Sequence, residues 1–444
     1  MKKRLVMSSV LLFTIFIILG TRAFDALAVQ GGQEDSAYDN LAILTRALQL
    51  IRQDYVDDKK VGYRDLTYAA MRGMLQSLDP HSQFMEPKDF KGMQEETDSQ
   101  FGGLGVVVSM KDGVITIISP MEDTPGFKAG LLPGDQIVKV NGSSTEKMQL
   151  SDVIQRLRGK PGEKVTLTVL RPSTKEIKDF TMERAIIKVD SVKDAKILPV
   201  ETAGDFKIGY VRITQFNKPT GEELAKKLNE LEALGMQALV LDLRYNPGGL
   251  LDSAVKVCGE FLPPNQMVVY TEGRVPSQKK IYRTAEGARQ RAKYPVAILV
   301  NGSSASASEI VAGALKDLNR AVLVGETTFG KGSVQSVIQM PDGSALRLTT
   351  ARYFTPGKQV IHEKGVTPNI HVSIPPDQEK LLLLKRREEL LSEPEKKELV
   401  NFHDPQLERA VDALKGVMIY TKKPGSANEE NKAAGKIENT TSVQ

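Results

Sequence analysis

One ordered stretch of this chain carries a serine, a lysine and a glutamine that could together do nucleophilic chemistry. An apolar run, Val296-Ala297-Ile298-Leu299-Val300, leads through the turn N-G-S-S into a small-residue helix start, A-S-A-S-E-I-V-A-G-A-L, which contains Ser306. Past a second short apolar run, Ala321 to Val324, the segment G-E-T-T-F-G-K-G-S-V-Q carries Lys331 and, four positions later, Gln335. A serine hydroxyl attacks only when a base takes its proton. The chain has 4 histidines and none lies in this segment, so a lysine is the natural base.

A free lysine titrates near 10.4, and only about one in a few thousand is neutral at pH 7. To act as a base, Lys331 must be lowered to near 7, which burial away from a paired carboxylate can do. Phe329, Val334 and Val337 flank it, and the nearest acid on its own loop is Glu326. Gln335 falls on the same face as Lys331 in a helix or a strand. Its neutral amide can orient the amine without favouring its charged form. At the start of a helix, free amides and the positive dipole end would face an oxyanion forming beside Ser306. The N–H of Ala307 is one candidate donor.

The motifs S-A-S-A-S-E and F-G-K-G-S-V-Q, with Gln335 in place, resemble the carboxyl-terminal processing (tail-specific) serine proteases. The likeness runs from about Tyr38 to about Gly416. It implies a Ser306–Lys331 dyad assisted by Gln335. It also implies that the turn N-P-G-G in D-L-R-Y-N-P-G-G-L-L (Asp242 to Leu251) completes the oxyanion hole through Gly248 or Gly249.

Each residue alone has a plainer reading. Serines that open helices usually cap them, and Ser303, Ser304 and Ser308 could each do so. An isolated lysine would be a solvated loop residue, and two glycines a strand-to-helix turn. The ordered combination favours the enzyme over an inactive scaffold that retains a protease fold. Gly325-x-x-x-x-Gly330-Lys331 is most of a phosphate-binding loop, but Gly332 stands where a metal-binding hydroxyl is needed. The S-V-Q-S-V-I-Q that follows alternates like a strand, whereas a phosphate loop opens a helix.

The elements that must position these residues follow from pattern. Residues 36–97 read as helical: Leu41, Leu44, Leu48 and Ile51 repeat at three- and four-residue spacing, and D-P-H-S at Asp79–Ser82 ends the pattern in a structural turn with a non-catalytic His81. In 98–186, short strands take over. F-G-G-L-G-V-V-V, V-I-T-I-I and A-G-L-L-P-G-D-Q-I-V-K-V-N-G resemble a PDZ domain, which captures a peptide carboxyl terminus on a glycine loop while the peptide adds as a strand. The resemblance assigns that loop to Phe101, Gly102, Gly103, Leu104 and Gly105, and the far wall of the groove to a helix near Leu150–Leu157. Arg158 sits where related enzymes carry an arginine that couples the PDZ domain to the active site.

From 187 to 376 strands and helices alternate as in an α/β core. The resemblance implies a crotonase-like stacked βαβ arrangement with the mostly-β PDZ domain inserted. Glu272–Arg283 reads as a polar surface excursion. Residues 377–423 return to helix, and 424–444 are polar and expected to be disordered. Such terminal helices assist dimerisation in relatives, so a homodimer or higher oligomer is expected.

The 444 residues hold 60 Lys plus Arg against 55 Asp plus Glu, interspersed, with a net charge of +5. No basic stripe with interleaved aromatics suggests nucleic acid. No metal-ligand spacing is present, and no cofactor is expected. The single cysteine, Cys258, excludes an internal disulfide and reads as a core thiol beside Val255, Phe261 and Leu262.

Lys2-Lys3-Arg4 and the apolar run Leu5 to Leu19 form an export signal, with Ala26-Leu27-Ala28 as cleavage site, so that 1–28 would be removed. The alternative is an uncleaved membrane anchor, since Arg22 and Asp25 push that site far from the run. Either places the protein in the periplasm or on the outer face of the cytoplasmic membrane. The expected partners are protein or peptide C-terminal tails as substrates, with room for an adaptor or activator protein.

Overall fold

The computed structural model describes residues 36–421, apart from Asp112, Glu122, Ser173, Ala292, Lys293, Arg387, Glu389, Leu390 and Ser392. The expected export signal and the polar tail at 424–444 lie outside the described residues. The chain divides into two compact units, one ending at Phe84 and the other beginning at Met85.

In the first unit, helices span Ala37–Asp54 and Tyr63–Gln76. Ser36 caps the former with a side-chain bond from the Asp39 amide, as short polar side chains do at helix starts. Tyr68 packs on Phe84 with ring centroids 4.8 Å apart. In the D-P-H-S segment, Asp79 Oδ1 accepts the amides of His81 and Ser82 at 2.7 and 2.8 Å. That side-chain-closed turn explains why the helical pattern stops there.

The second unit begins with a helix, Pro87–Thr97. An antiparallel sheet follows, in which Val106–Lys111, Val114–Pro120, Gln136–Val140, Lys164–Arg171 and Glu176–Glu183 lie side by side in that order. Ile117, Ile137 and Leu167 alternate inward and meet Val153 of the helix Leu150–Leu157. Val106–Lys111 is an edge strand, so one row of its backbone groups has no neighbouring strand in this sheet. Just before it, Gln100–Gly103 pairs with Ala185–Lys188, where the chain leaves the sheet.

The rest is built on a second sheet, ordered Val192–Ile197, Ile208–Ile213, Ala238–Asp242, Val296–Val300, Val322–Gly325, Ile370–His371. All neighbouring pairs are parallel except the first, which is antiparallel. Helices Thr220–Ala233, Leu251–Gly259 and Ala307–Asp317 bury Leu228, Val257 and Ile310 against one face, with Leu239, Leu241 and Ile298. Helix Pro405–Thr421 sets Ala410, Val411, Leu414 and Met418 on the other face, against Val240, Ala297 and Leu299. A parallel sheet covered on both faces needs apolar residues at every position, hence the unbroken runs in the sequence. This terminal helix thus commits an apolar face to its own chain.

Strands Met267–Gly273, Lys280–Arg283, Ser333–Gln339 and Ala345–Phe354 form an antiparallel layer. The polar excursion at Glu272–Arg283 is therefore a hairpin arm. Its return strand pairs Ile281 with Tyr270. Cys258 is fully buried.

Candidate active site

Three loops meet at the carboxyl ends of three adjacent parallel strands, Ala238–Asp242, Val296–Val300 and Val322–Gly325. Open α/β sheets bind their ligands at that end. Hydrogen bonds lock the loops together. Ala305 N–H donates to Asn246 O at 3.0 Å, Phe329 N–H to Ser304 O at 3.0 Å, and the hydroxyls of Ser304 and Ser308 to Leu243 O and Asn246 O at 2.8 and 2.9 Å.

Ser306 sits on the strand-to-helix turn, with the helix beginning at Ala307. Its backbone has φ 54° and ψ −112°. An ordinary capping serine is extended. A non-glycine residue in this region costs on the order of 1–3 kcal/mol and persists only where its surroundings enforce it. Sharp strained turns of this kind present the serine nucleophile in α/β-hydrolases.

Glu309, one turn into the helix, enforces the geometry. It is fully buried. Its Oε2 accepts the Ser306 amide at 2.8 Å and the Lys331 amide at 2.9 Å. Oε1 accepts the Thr328 hydroxyl at 2.5 Å and the Gly330 amide at 2.7 Å. Burial raises this carboxyl above its ordinary range, and the four donors partly oppose the rise.

Lys331 is half-buried. Burial, then the Arg347 guanidinium, push its ammonium below the usual lysine range, while Glu309 pulls the other way. Among the described residues no carboxylate is ion-paired with it. Tyr353 lies beside Ser306: burial raises the phenol, Tyr282 adds to the rise, and the Ser306 hydroxyl offsets part of it.

Gly248 faces the serine so closely that a Cβ would lie 2.6 Å from Ala305 O and 2.7 Å from Ser306 Cβ. Its φ of 100° also favours glycine. The Gly248 amide donates to Asn246 Oδ1 at 2.9 Å. The amides of Gly249 and Ala307 have no acceptor among the described residues.

A groove of about 240 Å3 runs between the edge strand Val106–Lys111 and the helix Leu150–Leu157. Phe101, Gly103, Leu104 and Gly105 close one end, Ile154 and Leu157 form the far wall, and Arg158 also lines it. Gly102 lies against the turn after that helix, where a Cβ would stand 2.0 Å from Gly159 O. The Arg158 guanidinium lies 4.7 Å from the Phe101 ring centroid and 3.9 Å from Glu95.

Residues 207–372 match peptidase family S41 and residues 116–171 match a PDZ domain. The chain is 40% identical to a carboxy-terminal-processing protease of Bartonella bacilliformis, covering 79% of each chain. It is 36% identical to the carboxy-terminal processing protease CtpB of Bacillus subtilis, covering 80% of this chain and 72% of that one. The chain belongs to peptidase family S41. It is a carboxyl-terminal processing serine protease with a PDZ domain. Among solved structures, a photosystem II D1 C-terminal processing protease is 30% identical, with 74% of this chain and 92% of that one covered and a TM-score of 0.43.

Two expectations about this S41 protease's lysine need correction. Phe329 and Val337 do not bury it, being 60% and 43% exposed. The chain turns at Gly330, φ 90°, directly after Phe329, and Val337 lies further on, in the strand Ser333–Gln339. Glu326 is the nearest acid on its own loop, but the acid that acts on the amine is Glu309, from the neighbouring helix. Gln335 does not bond Lys331 here. Its amide donates to Ser333 Oγ at 2.8 Å and Thr349 Oγ1 at 3.4 Å. Lys331 precedes the strand, and the register shifts between Val334 and Gln335, so period-two counting from one to the other fails.

Glu309 is the residue that pattern reading missed. The local signal was present, since S-x-x-E at a helix start is the signature of a capping box.

Proposed function

We propose that this protease binds unstructured or apolar C-terminal tails in the groove of its PDZ domain and cleaves them with Ser306 as nucleophile and Lys331 as base. The Ser306 Oγ attacks the scissile carbonyl carbon while Lys331 Nζ takes the hydroxyl proton. That proton passes to the departing amine as the C–N bond breaks, leaving an ester on Ser306. Water then attacks the ester with Lys331 again as base, and Ser306 recovers its proton as the acid product leaves. The amides of Gly249 and Ala307 donate to the oxyanion. Gly249 is preferred to Gly248 because the latter's amide is already bonded to Asn246.

The observation that carries this reading is the strained backbone of Ser306, bridged by Glu309 to the loop that holds a partly desolvated Lys331. The open edge of Val106–Lys111 supports tail binding as an added strand, with the loop Phe101–Gly105 receiving the terminal carboxylate.

Gln335, bonded to Ser333 and Thr349 rather than to the amine, supports a gated site. Tail binding would be sensed at Arg158 and would swing Gln335 toward Lys331. The export signal supports action in the periplasm or on the outer face of the cytoplasmic membrane, and the protease would work as a homodimer or larger assembly.

The test is cleavage of an unfolded protein with an apolar tail by the Ser306→Ala, Lys331→Ala and Gln335→Ala variants, with products read by mass spectrometry. Loss of cleavage in the first two and a partial loss in the third are expected. Full activity of Lys331→Ala would end the dyad proposal.

A further inference from the structure

Between the strand Ala238–Asp242 and the glycines of the oxyanion turn, the chain passes through Arg244 and Tyr245. Residues far along the sequence hold both. Arg244 is buried, and its Nη2 meets Asp242 Oδ2 and Asp404 Oδ2, each at 2.8 Å. Its Nη1 meets Asp404 Oδ1 at 2.9 Å and Gln406 Oε1 at 3.1 Å. Tyr245 is left-handed at φ 60° although it is not glycine. Its amide donates to Asn301 Oδ1 at 3.0 Å and its hydroxyl to Glu379 Oε1 at 2.6 Å. The Arg386 guanidinium lies 4.7 Å from its ring centroid, and Arg386 Nη1 donates to Arg244 O at 3.2 Å.

Tyr245 is followed at once by Asn246, whose side chain takes the Gly248 amide and whose carbonyl takes the amide of Ala305, next to Ser306. A left-handed residue that favours the right-handed or extended regions stays put only while its neighbours hold it. Were Tyr245 to relax, the peptide planes that aim the amide of Gly249 would turn with it.

We infer that Tyr245, held by Glu379 and Arg386, is a positioning residue for the oxyanion turn, so that the segment after the protease core takes part in catalysis from a distance. This rests on the assignment of Gly249 and Ala307 as oxyanion donors. The Tyr245–Glu379 contact is exposed, so it can be removed without opening the core.

The experiment uses the full chain with Tyr245→Phe, Glu379→Ala, their double variant and Glu379→Gln, which keeps an acceptor for the phenol. Removing an oxyanion donor outright costs about 10²–10³ in kcat, and a misaimed one loses part of that. The expected result is a fall of about tenfold in kcat for Tyr245→Phe and for Glu379→Ala, with KM for a tail peptide unchanged. The double variant should fall no further, Glu379→Gln should recover most of the loss, and melting temperatures should stay within about 2 °C. A wild-type kcat in Tyr245→Phe overturns the inference, as does a rise in KM at constant kcat. Ser306→Ala runs alongside: residual hydrolysis there would sink the assignment of the site itself, a different failure.

Discussion

Ser306 and Lys331 are joined through their backbones, because their amides donate to the same oxygen, Glu309 Oε2, at 2.8 and 2.9 Å. Two amides sharing one acceptor cannot lie more than about 6 Å apart. The residues proposed as nucleophile and base are therefore brought together by a third side chain, with no direct bond between them. That carboxylate also acts on the lysine at range, raising the amine that burial and Arg347 lower.

A pH dependence follows. In the proposed dyad the neutral amine is the base, so activity should appear as pH rises through the folded-state value of Lys331, below the ordinary lysine value of about 10.4. Glu309→Gln removes the charge that opposes this lowering, so the acidic limb of kcat/KM should move to lower pH. The maximal rate should also fall, because an amide nitrogen cannot accept the hydrogen bonds that one carboxylate oxygen accepted. A limb that stays in place would mean that Lys331 is not the titrating base.

The backbone of Ser306 makes a second prediction, on stability. Glycine relieves a left-handed site that alanine leaves strained. Ser306→Gly should be more stable than Ser306→Ala by about 1 kcal/mol, although the proposed mechanism makes both inactive. Chemical denaturation of the two variants measures the difference, and equal midpoints would argue against strain at this turn.

The groove makes a third. Ile154 lines its far wall. Ile154→Ala removes apolar contact worth about 1–2 kcal/mol, so tail peptides should bind roughly 5- to 30-fold more weakly. Cleavage of a short peptide lacking an apolar end should be unaffected. Peptide titration by fluorescence anisotropy separates the two.

Asp242 makes a fourth. Burial would raise its carboxyl, but Arg244 and Arg386 overcome this and hold it far below the usual range. A depressed carboxyl contributes stability that is present above its unfolded value, about 3.9, and lost as pH falls through the folded one. Asp242→Asn should cost about 3 kcal/mol at neutral pH, because it takes one carboxylate from a buried Arg244. The deficit should shrink in acid. Urea titration across pH reads both.

Much of the architecture was legible because a sheet buried on both faces writes itself as apolar runs. Ala238–Asp242 and Val296–Val300 stand out from composition alone, and the helix Leu150–Leu157 appears where the PDZ resemblance puts it. The order of functional loops follows from the order of strands. What escaped was tertiary. Glu309 shows a local capping signal, but Thr328, Gly330 and Lys331 reach it from a loop some twenty positions on. The shift at Val334 and the φ of Ser306 leave no mark on residue type. A half-buried lysine likewise looks the same in sequence as a solvated one.

The sealed position of Cys258 has a practical side. Its thiol is raised by burial and shut away from reagents, and the chain has no other. Cysteines introduced at the exposed positions Ile177 and Leu234 would then take up dyes with no competing background. Energy transfer between them would follow the separation of the tail-binding and hydrolytic halves as ligand arrives.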